Sequence, residues 1–359
     1  MAHVTPTLLT NRSPLGVPLR AESGSLWERL LNHWPRFWRL GQWGISVCSL
    51  LLGLLTLFIF RRGLPHVGWI VGYLLLLWLL VVALAELRAP LEERGRHLFV
   101  GASEYAIQTL YHNLLLFVLP AYYASATLDS LNGLFLAAVA LAALLTAVDP
   151  WYRRLVHPRT WLQNILLALA VFSALNVALP LVGVRPIVAV EGSAVLAVVA
   201  LTPTWRRRGL ASWKRVLVQT VLLGCVALVL SWCARVVVPP APLFVAKALA
   251  ARTVIELQPV DPIGASIAAA TVAEWGGLAA YTAIYAPSGL HQAIEHRWSR
   301  NGVLFARIAL SPVHGGRTEG FRTYSITRNL KPPLDGRYTV DAVTASGQLI
   351  GRLRFTVTR

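Results

Sequence analysis

Seven stretches of this chain are apolar for longer than a water-soluble core can usually accommodate. They run over about 43–60, 66–85, 105–126, 131–148, 161–182, 186–204 and 216–236. Runs of roughly 17–23 residues cross a ~30 Å hydrocarbon layer as helices rising 1.5 Å per residue. Of the 359 residues, 56% are apolar and 14% charged, whereas soluble domains carry roughly 25% charge. The expectation is a polytopic α-helical membrane domain of about seven transmembrane helices over 43–236, in contact with a lipid bilayer. Its sixth run is the weakest, because Pro186, Glu191 and Ser193 interrupt its first half.

The loop charges predict the orientation. With the N-terminus inside, the inner segments hold Arg12, Arg20, Arg29, Arg36 and Arg39, then Arg88, Arg94 and Arg96, then Arg153, Arg154 and Arg159. The last inner loop adds Arg206, Arg207, Arg208, Lys214 and Arg215, against only Arg61, Arg62 and Arg185 in the outer loops. Positive charge accumulates on the cytoplasmic side, so seven spans with the N-terminus in and the C-terminus out is the consistent topology. Removing the sixth span would place Arg206–Arg208 outside. The same topology accounts for much of the +17 net charge, so nucleic acid is not an expected partner. A bacterial inner membrane with a periplasmic or extracellular C-terminal domain is the expected setting.

Residues 1–42 read as a disordered N-terminus followed by an interfacial helix. Trp27, Leu30, Leu31 and Trp34 fall on one helical face, and tryptophan favours the headgroup level. The first long apolar run starts too late and runs too long for a cleavable leader. It reads as an uncleaved first span. Cys48, Cys225 and Cys233 lie inside apolar runs at spacings that suit neither a redox pair nor a zinc knuckle. Core packing is expected for them.

After the prolines of "VVVPPAP" the period changes. Residues 237–251 read as a Pro-rich linker, and 252–359 as an all-β immunoglobulin-like sandwich. About eight short β-like runs, among them "ASIAAATV", "LHQAIEHRWS" and "VLFARIAL", are separated by Gly, Pro, Asn or Asp. Asn301-Gly302 is a tight-hairpin signal, with Ser346-Gly347 a weaker one.

Within "HQAIEHRWSRNG", "GGRTEGFRTYS" and "GRYTVDAVTASGQLIGRLRF" the positions His296, Trp298, Gly315, Gly316, Arg317 and Gly320 form a recognisable pattern. It resembles the bacterial domain-of-unknown-function family 2914. The helical part, with "YHNLLLFVLPAYYASAT" and "AVDPWYRR", resembles family 5924, often fused to that domain in bacterial inner-membrane proteins. The resemblance implies architecture and compartment. It implies no activity.

Two groups of residues are candidates for chemistry. Glu104, Gln108 and His112 recur every four residues, share one face of the third span, and would line a polar cavity. Glu191 would approach that cavity from the outer side. The plainer alternative makes Glu104 and Glu191 interfacial and His112 a neutral, bonded histidine. In the exported domain, a two-residue turn at Asn301-Gly302 pairs Trp298 with Phe305 and His296 with Arg307. With Arg317 these form a candidate binding face, or else Trp298 anchors the core with His296 and Arg307 at a sheet edge.

Metal binding is disfavoured, because His291 and His296 point to opposite faces of a strand and His314 lies in another loop. GxSxG, HExxH, P-loop and GxGxxG patterns are all missing from the sequence, and no cofactor is implied. The leading expectation is a non-enzymatic membrane protein whose exported sandwich binds an envelope protein or glycan. The second is a small transporter or lipid-processing membrane enzyme built on Glu104, Gln108, His112 and Glu191.

Overall fold

The computed structural model describes residues 67–95, 97–203, 212–328 and 330–359. A helical region is followed by a β-sheet domain. The interfacial helix at Trp27–Trp34, the first apolar run, Cys48 and Arg206–Arg208 lie outside the described residues. The helices are α1 (Val67–Glu93), α2 (His97–Ser125), α3 (Asn132–Ala147), α4 (Asp149–Trp151), α5 (Thr160–Leu181), α6 (Pro186–Ala200) and α7 (Trp213–Ala234), with a π-helical turn, Tyr152–Val156, after α4. α3, α5, α6 and α7 lie close to their apolar runs, whereas α1 runs eight residues past the end expected at 85 and α2 starts eight residues before 105. Pro186 starts α6 at its first turn, where the missing N–H has no partner to lose.

Among the described residues, Thr160–Leu181 and Lys214–Ala234 are long and apolar enough to cross a membrane. Asn132–Ala147 and Asp149–Val156, bent by 94° at their junction, form a further span if taken as one. Gly72–Leu84 and Pro186–Ala200 are apolar but shorter. The bend sits at one residue: Val148 is extended, ending α3 and opening α4, whose first turn holds Pro150, where a missing N–H costs no helical bond.

Leu114, Leu115, Val118 and Tyr122 of α2 pack with Val139 and Ala143 of α3 and with Leu167, Ala170, Ala174 and Val177 of α5. The buried Tyr122 hydroxyl donates to the Ser173 carbonyl (3.0 Å) and accepts from Asn176 Nδ2 (3.0 Å), fixing α2 on α5. α6 packs chiefly between α5 and α7. Cys225 and Cys233 on α7 are exposed rather than packed in a core; among the described helices α7 packs chiefly on α6.

The β domain has two facing sheets. Strands β1 (Phe244–Ile255), β2 (Gln258–Ile263), β4 (Gly277–Tyr285) and β9 (Phe321–Arg328) form one in the order β2-β1-β4-β9. Strands β3 (Ser266–Ala268), β6 (Ile294–Arg300), β7 (Val303–Ala309), β10 (Gly336–Thr344) and β11 (Leu349–Thr358) form the other in the order β3-β11-β10-β6-β7. A small pair joins β5 (His291–Gln292) to β8 (Val313–His314). Ala250, Leu278 and Ala280 from the first sheet meet Trp298, Tyr338, Val340 and Phe355 from the second.

Three sequence expectations change here. β1 begins at Phe244, inside the stretch read as a linker, because the chain pairs with β4 directly after the prolines. "ASIAAATV" is only briefly a strand. Ala269–Trp275 forms a helix of about two turns, α8, since alanine favours helix, and Gly276 closes it at φ +67. Finally, Asn301-Gly302 makes the tight turn, both residues at positive φ (53 and 83), but Phe305 bulges out of β7. The register is therefore Trp298↔Ala306, Arg297↔Arg307 and His296↔Ile308, not Trp298 with Phe305 and His296 with Arg307.

Short loops order the ends of the bundle. The 126–131 loop, the 182–185 loop and the end of α7 all meet the sandwich. Asp129 pairs with Arg354, Asn132 Nδ2 donates to the Leu349 carbonyl (3.3 Å) and Arg235 Nε donates to the Ser346 carbonyl (2.9 Å). Gly183 lies so close to Gly289 that an added Cβ would stand 3.2 Å from its carbonyl oxygen. Arg153, Arg154, Arg159, Lys214 and Arg215 sit at the opposite helix ends.

Candidate functional site

His296 and Trp298 point inward from β6 and are both fully buried. His296 Nδ1 bonds with Ser325 Oγ (2.8 Å) and Nε2 with Thr282 Oγ1 (3.1 Å), while Trp298 Nε1 donates to the same Ser325 Oγ (2.9 Å). A neutral imidazole, donating at one nitrogen and accepting at the other, satisfies this set. Burial pushes the His296 pKa down to about 4. The two residues thus tie β6 to β4 and β9 across the core and have no surface to offer a ligand.

Arg307 and Arg317 are exposed and separate from that network. Arg317 lies over the Phe321 ring (5.2 Å). The glycines before it have a packing cause. A Cβ on Gly315 would sit 1.6 Å from the Pro287 carbonyl oxygen, and the Gly315 and Gly316 amides donate to Leu290 and Ala286 (both 3.0 Å). Only a glycine lets the backbones approach this closely. His291 and His314, read as distant, face each other across β5 and β8 with ring centroids 4.6 Å apart. No group of three metal-ligating side chains forms among the described residues.

The opening in the sandwich lies elsewhere, between the edge strands β7 and β9. This cleft, about 490 Å³, is lined by Arg300, Phe305, Ile308, Arg328, Lys331 and Tyr338, among others. Its floor is aromatic. Phe305 meets Trp298 (6.3 Å) and Tyr338 (6.1 Å, edge-on), and Tyr338 stacks on Phe355 (5.3 Å). Its rim is basic and has no carboxylate. Arg300 Nη1 donates to the Lys331 carbonyl (2.8 Å) and to that of Pro333, which holds the 330–334 loop as one wall. Sequence reading missed this cleft because it joins the β6–β7 hairpin to residues 327–331, and only the bulge at Phe305 carries a signal of it.

In the bundle, α2 does place Glu104, Gln108 and His112 on one line, with Gln108 and His112 buried. Gln108 Nε2 donates to Asp149 Oδ1 (2.6 Å) and to the Thr146 carbonyl (3.0 Å). Glu104 pairs with His157 (3.1 Å). Asp149 is therefore part of this cluster and is buried. Glu191 is not part of it, since α6 sits on the far side of α5.

The fold is thus that of a helical bundle clamped to a β-sandwich that carries a basic cleft. Residues 24–279 match the family described as "Family of unknown function (DUF5924)", and residues 291–357 match "Protein of unknown function (DUF2914)". The chain belongs to DUF5924, with the DUF2914 segment following it in the order the sequence resemblance implied. A search of curated proteins found no match. The first match ends inside β4, so the sandwich is built from both families. β1 to β3 and the start of β4 come from the first, and β6, β7, β9, β10 and β11 from the second.

Proposed function

We propose that the protein is a seven-span membrane protein, N-terminus inside, that presents an immunoglobulin-like sandwich outside to an envelope protein or glycan. The observation that carries this reading is the arrangement of the helix ends. Every described loop that the charge count assigns to the outside meets the sandwich, and the ends bearing Arg153, Arg154, Arg159, Lys214 and Arg215 lie opposite. Lipid contact is supported by α7, which leaves Leu217, Val221, Leu222, Val229 and Leu230 exposed. Such a surface is costly in water and neutral in hydrocarbon. The bacterial inner membrane is the setting that the family resemblance supports.

The immunoglobulin-like reading draws on strand order. The chain passes from β4 to β6 and β7 in the opposite sheet, back to β9, and over again to β10 and β11. That is a Greek-key path with a buried tryptophan on β6, the strand that follows the crossing from β4. The parallel pairing of β3 with β11 adds a short strand at the margin. Reporter fusions after Arg208 and at Arg359 test the topology. Opposite compartments are expected, and equal readings would overturn the seven-span reading.

A second reading rests on the buried Gln108–Asp149 hydrogen bond with His112 one turn further along α2. It makes the bundle a small transporter or lipid-processing enzyme. Under it, His112→Ala abolishes function with the sandwich intact. Under the first reading that change is tolerated, and deleting residues 244–359 is not.

A further inference from the structure

We infer that the β7–β9 cleft receives an extended acidic peptide segment of a partner protein, which adds as a strand to the edge of β7. This rests on the presenter reading above and specifies the partner's chemistry. β7 is a sheet edge, so alternate backbone N–H and C=O groups point away from β6 and can take up a new strand. Val303 (71% exposed), Leu304 and Phe305 (42%) leave apolar surface beside that edge, ready to cover alternate side chains of an added strand.

Charge selects the partner. Arg307, Arg328 and Lys331 stand around the edge, and no ion pair of theirs is found among the described residues. A second copy of the chain would bring these cations against one another, and like charges across paired strands repel. The same arginines, with the bulge at Phe305, guard the edge against self-association and still admit a strand bearing carboxylates. Discrimination by repulsion of the wrong partner and attraction of the right one is the usual origin of such specificity. Position agrees with this. The helices contact β11 and the turn before it, with β10 and β6 between β11 and β7. Arg300 and Tyr338 pair at the opposite end of β6 and β10 from Ile294 and Thr344. None of these contacts to the helices involves β6, β7 or residues 327–331, so the cleft is open to a partner.

The test uses the full chain in zwitterionic lipid nanodiscs and a labelled peptide of alternating Glu and Val. Binding is expected, with hydrogen-exchange protection appearing at Val303–Ala309. The Arg328→Glu/Lys331→Glu double variant, which alters only exposed side chains, should weaken it by about tenfold or more. Arg215→Glu, at the other end of the bundle, should not. A peptide N-methylated on alternate residues, which keeps its charge and loses backbone donors, should fail to bind. The inference is overturned if the N-methylated peptide or a Lys-Val peptide binds equally well, or if the double variant binds like the parent. Binding of a sulfated oligosaccharide without the peptide would also overturn it, while leaving the presenter reading intact with a glycan as ligand. If neither probe binds, strand addition fails and the presenter reading loses this cleft, though its topology still stands on the fusions.

Discussion

Trp298 is the largest fully buried side chain among the described residues. It is fully buried, meets Phe305, and donates to Ser325, whose hydroxyl also bonds with His296. Trp298→Ala removes the ring and leaves a cavity, a change that costs ~3–5 kcal/mol in a core and strips Ser325 of a donor. Hydrogen exchange of β6 and β10 in the full chain should accelerate accordingly, and unchanged protection would contradict the core role. His296 adds a pH dependence. Its folded pKa, about 4, lies below the unfolded value near 6.5, so the unfolded chain binds the extra proton between these values. Stability is then complete above roughly pH 6.5 and falls as pH drops toward 4. In His296→Gln this slope should flatten. An unchanged slope would assign the acid sensitivity to other groups.

At the scale of elements, the division between families does not coincide with the division between folding units. Residues 291–357 alone contain β9 without β4 and β1, its sheet partners, and lose Leu278 and Ala280 from the core. Residues 244–359 hold both sheets. The longer fragment should show a β-type circular dichroism spectrum and a cooperative melt, whereas the shorter one should be unfolded or aggregate. If residues 291–357 fold cooperatively, the core described above is not what stabilises the domain. The limits of α3, α5, α6 and α7 were legible in the sequence, because length and apolarity decide them locally, but the polar extensions of α1 to Glu93 and of α2 back to His97 were not, since apolarity does not mark them. So was the Asn301-Gly302 turn, whose chemistry sits in two residues. The register beyond it was not, since one bulged residue shifts the pairing across the rest of β7 and leaves no mark in the apolar pattern. Ala269–Trp275 was misread because a run of alanines fits either period.

For the whole molecule, the decisive question is what solvates the outer face of α7. Cys225 lies near its middle and Cys233 near the end that meets the sandwich, and both are exposed. If water surrounded this helix, a charged maleimide would modify both at comparable rates. If lipid surrounds it, Cys225 lies many ångströms from either interface, given 1.5 Å of rise per residue, where no charged reagent partitions. With Cys48→Ser to remove the remaining thiol, the membrane reading expects Cys225 to resist a charged maleimide in intact membranes and to react once the bilayer is dissolved in denaturing detergent. A lipid-soluble maleimide should reach it in both conditions. Cys233, nearer the outer interface, should react faster than Cys225 when the charged reagent is added from the side of the sandwich. Equal modification of the two thiols by the charged reagent before dissolution would show that α7 is not embedded. The paired helix ends would then have to be explained without a membrane.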